Sequence, residues 1–260
     1  MKGLREALVR AAVSCLLATT AATAAAPPAA TIKDAASQRV LAAMSRSSTF
    51  GHPDEYGEFN GMQRYAAGNC KGAMKYFLIG ARYADKLSQL SIGLMYLNGQ
   101  GVQKDPVQGS AWMAIAAERN YPEFLATRDR VWSQLDAAQR EQARTLVNQL
   151  YATYGDTFAK PRMTRAMRWA LADATGSALG YDKSGTMNTL STNQPPPACG
   201  AETIDGAAMA GCGDLYADWR WDPKKYFDAR NGSWTGTVKV GTVEKGVLDA
   251  AGKAPAAKKR

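Results

Sequence analysis

A pattern that recurs at a fixed offset constrains this chain more than any other feature. Ala73, Tyr76, Gly80, Ala81 and Ala84 are matched 36 positions later by Gly109, Trp112, Ala116, Ala117 and Asn120. On an α-helix, steps of three, four and eight residues place these positions along one stripe. Small residues there let a neighbouring helix come close, and the lone aromatic ring fills the gap that remains. Self-similarity with a period of roughly 20–50 residues marks a repeat architecture. Tyr76, Tyr96 and Trp112 are expected in the core.

The segment ahead of the second stripe explains how helices would be joined. It reads Ile92-Gly93-x-x-Tyr96-x-x-Gly99-x-Gly101-Val102-x-x-Asp105. Gly93 allows a close helix crossing, and Gly99 suits the left-handed conformation that ends a helix. Asp105 is placed to cap the next helix, with Pro106 at its first position and Gln108 completing a capping box. Asp136 and Gln139 repeat the box before residues 143–150. The pattern is helical from residue 53 to about 154, with a further short helix expected over residues 34–44. The fold class expected is mainly α: a short α-α hairpin solenoid over residues 53–155. Residues 25–52 form a linker and short helix, 156–245 an irregular C-terminal region and 246–260 a flexible basic tail.

The run from Ile92 to Asn120 resembles a Sel-1-like repeat, a relative of the tetratricopeptide repeat. Gly93, Tyr96, Gly99, Gly101, Val102, Asp105, Trp112, Ala116 and Ala117 match that pattern; Ile92, Gly109 and Asn120 stand where it has Leu, Ala and Gly. The preceding unit, with Ala73, Tyr76, Gly80 and Ala81, is degenerate, and its loop near Gly68 and Asn69 is about four residues shorter. Residues 122–135 and 136–154 read as a capping helical pair. The resemblance implies an α-solenoid that offers a concave groove to another protein, with no shared catalytic residues. On the first helix of each hairpin, Gln63, Arg64, Gln89 and Asn98 are the candidates for facing a partner.

Residues 1–24 carry Lys2, Arg5 and Arg10, then an apolar run, then Ala22-Thr23-Ala24, the pattern of a secretory signal peptide cleaved after Ala24. The run is too short to span a bilayer. No other stretch approaches that length, so no transmembrane segment is expected in the mature chain. The expected location is periplasmic or secreted. In an oxidising compartment Cys199 and Cys212 are expected to form a disulfide, and Cys70 to be a buried thiol.

The chain has a formal net charge of +9. Lys160, Arg162, Arg165 and Arg168 concentrate four positive charges ahead of Trp169. Arg162, Arg165 and Arg168 are further binding candidates, for an acidic partner, an anionic envelope polymer or a lipid surface. The export signal argues against nucleic acid. The partner expected is another protein of the cell envelope.

Catalytic chemistry finds little support. The sole histidine, His52, lies in a loop before a helix with no partner motif around it. The chain has no nucleophile elbow, no His-Glu-x-x-His and no phosphate loop, and Lys183-Ser184-Gly185 lacks the Ser-x-x-Lys that would give it meaning. Asp214, Asp218 and Asp222, four apart, do not have the alternating oxygens of a calcium loop, and read as solvated or capping residues. No catalytic residue, metal or cofactor is assigned; the alternative reading is an envelope hydrolase acting on peptidoglycan or a β-lactam. Trp219 and Trp221 alternate around Arg220 as in an extended strand. That strand is expected to pair with residues 234–243 in a small, irregular α+β appendage at the C-terminus.

Overall fold

The computed structural model describes residues 35–176 and 217–232. Within them every regular element is a helix. In chain order these are α1 (Ala35–Arg46), α2 (Pro53–Ala66), α3 (Cys70–Arg82), α4 (Lys86–Asn98), α5 (Pro106–Ala116) with a 3-10 turn (Ala117–Arg119), α6 (Pro122–Ser133), α7 (Ala137–Tyr154), α8 (Asp156–Gly176), α9 (Asp218–Trp221) and α10 (Pro223–Gly232). Helices α2 and α3 pair as one hairpin, and α4 and α5 as the next.

Local chemistry sets the joints. Asn69 caps α3 by accepting from the Gly72 amide. Asp85 caps α4 through the Ser88 amide at 2.7 Å. Gly99 ends α4 at φ +67°, and Asp105 accepts from the amides of both Val107 and Gln108 to open α5. The box of Asp136 and Gln139 closes in both directions at the start of α7. Each such cap is worth about 1 kcal/mol.

Glycines bring the paired helices into contact. A Cβ on Gly61 would lie 2.4 Å from the Phe77 ring, and one on Gly93 would lie 2.7 Å from Met113. Phe77 and Met113 are 36 residues apart, Gly61 and Gly93 only 32. The two contacts are equivalent, so the first hairpin has lost four residues from its loop. The crossing of α2 and α3 is tightest at Gly57, whose added Cβ would sit 2.1 Å from the Gly80 backbone nitrogen. Backbone there cannot swing aside. Gly57→Ala is therefore expected to force α2 and α3 apart at a cost of about 1–3 kcal/mol, read as a lower urea midpoint.

The central core joins the hairpins. Cys70, Ala73, Met74, Phe77 and Ala81 of α3 pack with Ile92 and Met95 of α4 and Trp112 of α5. Cys70 is an unbridged, buried thiol. At one end Leu41 and Met44 of α1 cover Phe59 and Ala66. At the other, Ala143 of α7 packs on Val107 and Leu135, and the Tyr154 ring lies 4.6 Å from Trp112.

Three expectations are corrected. Tyr76 is half-buried, between the Arg64 guanidinium, 4.5 Å from its ring centre, and Tyr56. Trp112 buries itself by packing back onto the preceding hairpin; Tyr76 belongs to the first hairpin, before which the described residues supply only α1. Residues 156–176, expected to be irregular, form one continuous helix. Ala159, Met163 and Met167 recur every four residues on its inner face, and Pro161 forgoes only one backbone bond near the helix start. Trp219 to Trp221 lie in a helical turn rather than a strand, because Arg220 points inward to a buried acid. Residues 234–243, Cys199, Cys212 and Asp214 lie outside the described residues, as do residues 1–34.

Candidate functional site

The densest chemistry lies where α9 and α10 dock against the ends of the hairpins. The first two turns of α2 present Asp54, Glu55 and Glu58, all buried. Arg220 of α9 donates to both oxygens of Glu55, Nη1 to Oε1 at 3.1 Å and Nη2 to Oε2 at 2.8 Å. Its Nη2 also reaches the Ser48 carbonyl. The Tyr226 hydroxyl of α10 donates to Asp54 Oδ2 at 2.6 Å. Arg230 Nη2 donates to Glu58 and, at 2.9 Å, to Asp85 Oδ1. Asp85 thus caps α4 with one oxygen and holds α10 with the other.

A second group continues the same edge. Arg119, in the 3-10 turn, donates to both oxygens of Asp156, to the Ala84 carbonyl and to Asn231 at the end of α10. Lys86 Nζ is buried between Glu118 at 2.8 Å and Asp156 at 3.0 Å. The segment 217–232 therefore clasps both hairpins and the start of α8 at once. Burying charges costs several kcal/mol per ion, and these contacts offset that cost by giving each acid a donor from the chain itself.

Burial and charge act on the titrating groups in different directions. Burial lowers the His52 imidazole to about 3, against the partial opposition of Glu55. Its ring lies 5.2 Å from Trp221 and 4.7 Å from Tyr226, and neither ring nitrogen has a hydrogen-bond partner among the described residues. Burial and the neighbouring Glu55 carboxylate push Asp54 up to about 7, against Arg230 and the Tyr226 hydroxyl. Burial alone would raise Glu55, but Arg220 and His52 hold it below the usual range. Burial, followed by the charges of Asp54 and Glu55, raises the Tyr226 phenol well above its ordinary value. Asp156 lies well below its ordinary value, since Arg119 and Lys86 outweigh the effect of burial.

Two of these shifts oppose each other in stability. Between pH 4 and 6.5 the unfolded chain protonates His52 while the folded chain does not, so this histidine weakens the fold as pH falls. Over nearly the same range folded Asp54 keeps a proton that unfolded Asp54 loses, so this acid weakens the fold as pH rises. Asp54→Asn preserves a partner for Tyr226 and removes the second contribution. Its urea-derived stability is expected to rise with pH between about pH 4 and pH 6.5, by up to about 1.4 kcal/mol per unit relative to the parent slope. Parallel slopes for parent and variant would show that Asp54 does not hold this proton.

The residues expected to face a partner divide. Gln89 is fully buried, a correction: its Nε2 donates to the carbonyls of Ala81 and Tyr154, and its Oε1 accepts from Lys86. It joins α4 to the end of α7, an interior role that helix-face geometry alone does not reveal. Gln63, Arg64 and Asn98 are half-buried. Gln63 reaches the Leu41 carbonyl of α1 at 3.5 Å. Arg162 is half-buried and ties the Arg82 and Thr153 carbonyls together. Arg165 and Arg168 are exposed. Asp218 and Asp222 are also exposed, Asp222 accepting from the Lys225 amide. Among the described residues no three His, Cys, Asp or Glu side chains gather as a metal site, and no helix is long and apolar enough to cross a membrane.

The clasp itself was missed from the sequence. Its signal would have been three carboxylates in the first turns of α2, in a chain that is otherwise basic.

These helices define a short array of α-hairpins closed by a C-terminal clasp. A comparison with solved structures finds a protective antigen of uropathogenic Escherichia coli strains that displays an SLR (Sel-1-like repeat) fold, 20% identical with a TM-score of 0.35. The match covers 58% of this chain and 34% of the antigen, so the chain spans about a third of that protein's length. No family model and no curated protein matches. The hairpin assignment stands on the packing described above.

Proposed function

We propose that the chain is an exported, non-catalytic module that binds another protein through its helical hairpin array, in the periplasm or outside the cell. What supports this reading is the use made of the buried acids. Asp54, Glu55, Glu58, Asp85 and Asp156 are each engaged by an arginine, a lysine or a phenol of the chain itself. The chemistry of the hairpin edge is spent on holding the array together, and the outer faces of the helices are left for recognition.

Crosslinking the purified mature chain into an envelope fraction is expected to give discrete protein adducts. Hydrolysis of peptidoglycan or of a chromogenic β-lactam by the purified chain, lost in Asp54→Asn, would replace this reading with the hydrolase alternative.

A further inference from the structure

Two helices outside the clasp carry the same outward pattern. On α3, Lys71, Lys75, Leu78 and Arg82 recur at steps of four, three and four, and all four are exposed. On α8, Phe158, Arg162, Arg165 and Trp169 recur at the same steps, and all but the half-buried Arg162 are exposed. Such steps align side chains along one face of a helix. Helix α8 touches the end of α3 where Arg162 Nη1 donates to the Arg82 backbone carbonyl.

This face is basic without compensation. Helix α3 contains no acidic residue, and residues 157–172 of α8 contain none either. Lys71, Lys75, Arg82, Arg165 and Arg168 make no ion pair among the described residues. Apolar surface is set among these cations. Trp169 is 74% exposed, Phe158 46% and Leu78 36%. A tryptophan held in water beside arginines is the composition that dominates binding energy at protein interfaces. Arginine also pairs with carboxylates through two parallel hydrogen bonds, which a lysine cannot do.

We propose that this face docks an acidic segment of a partner protein, one in which carboxylates alternate with apolar side chains. The proposal rests on the interaction-module reading and gives that module its binding surface and the chemistry of its partner. A protein segment fits better than a lipid surface. Leu78 and Ile79 are each only about a third exposed, recessed rather than projecting as wedges into a bilayer. Trp169 is the single strongly projecting ring, as an anchor for a pocket in a partner would be.

The probe is a fluorescein-labelled peptide of repeated Glu-Leu-Asp-Glu, titrated with the whole mature chain and followed by anisotropy. Saturable binding is expected, and it should weaken as salt rises from about 0.02 M to about 0.5 M. Arg165→Glu combined with Arg168→Glu should lower the affinity roughly tenfold or more. Arg165→Lys with Arg168→Lys should fall between the parent and the glutamate variant, because the charge remains and the paired hydrogen bonds do not. Both side chains are exposed, so the thermal midpoint of either double variant should match the parent. Trp169→Ala should weaken binding at every salt concentration.

No binding of the peptide, or equal binding by the parent and the glutamate variant, would overturn the proposal. So would binding to phosphatidylglycerol-containing vesicles that the glutamate variant loses, with none to the peptide; that outcome would assign the face to lipid. A protein adduct that the glutamate variant still captures from the envelope fraction would preserve the interaction-module reading and remove this surface from it.

Discussion

Replacing Arg220 by Met should cost about 3–5 kcal/mol of folding stability, among the largest single-residue effects expected in this chain. Arg220 and Glu55 are both fully buried and meet through two hydrogen bonds. A methionine occupies similar space but leaves the Glu55 carboxylate in a dry site with only the Tyr226 hydroxyl, at 3.3 Å, to approach it. The fold must then protonate Glu55 or release α9. A urea titration should show the lower midpoint. Hydrogen exchange should show faster opening across residues 217–232 before the rest of the array. Glu55→Leu combined with Arg220→Met should recover most of the loss, because no unpaired charge remains. A single variant as stable as the parent would show that this pair is not desolvated.

Trp112→Ala should cost a similar amount, about 3–5 kcal/mol, for a different reason. Trp112 is 3% exposed. It contributes the one α5 side chain to the central cluster, and its ring packs against Tyr154 from α7. The substitution removes the largest apolar group that joins the two hairpins and the capping helix, and leaves a cavity that surrounding helices cannot close without moving their glycine contacts. The loss should appear in the global unfolding midpoint rather than in local opening of the clasp. Tyr76→Ala, at the equivalent position of the first hairpin, should cost much less, since its ring already meets water. Equal costs at the two positions would contradict the end-of-array explanation for Tyr76.

How far the fold could be read from the chain depended on range. The capping of α5 and α7 by Asp105 and Asp136 involves amides two or three residues away. Gly99 ends α4 for a reason contained in its own backbone. The four-residue deletion in the first hairpin was legible from spacing, and the Gly61–Phe77 and Gly93–Met113 contacts agree with it. The clasp was not legible. Arg220 and Glu55 are 165 positions apart, and Arg230 and Glu58 are 172 apart. Nothing local marks either as a partner of the other. The burial of Gln89 was hidden for the same reason, because its amide binds Tyr154 at a separation of 65.

The sequence by itself determined the hairpin helices between residues 53 and 154, the caps at Asp105 and Asp136 and the crossing at Gly93, because each rests on backbone preferences and side-chain sizes within a few residues. Only the tertiary structure decided that residues 217–232 return to the start of the array, that Glu55 and Glu58 on α2 meet arginines and Asp54 a phenol there, and that Arg162 of α8 is tied to the end of α3. Those outcomes depend on which charges lose their water together, and desolvation is a property of the assembled fold rather than of any stretch of chain.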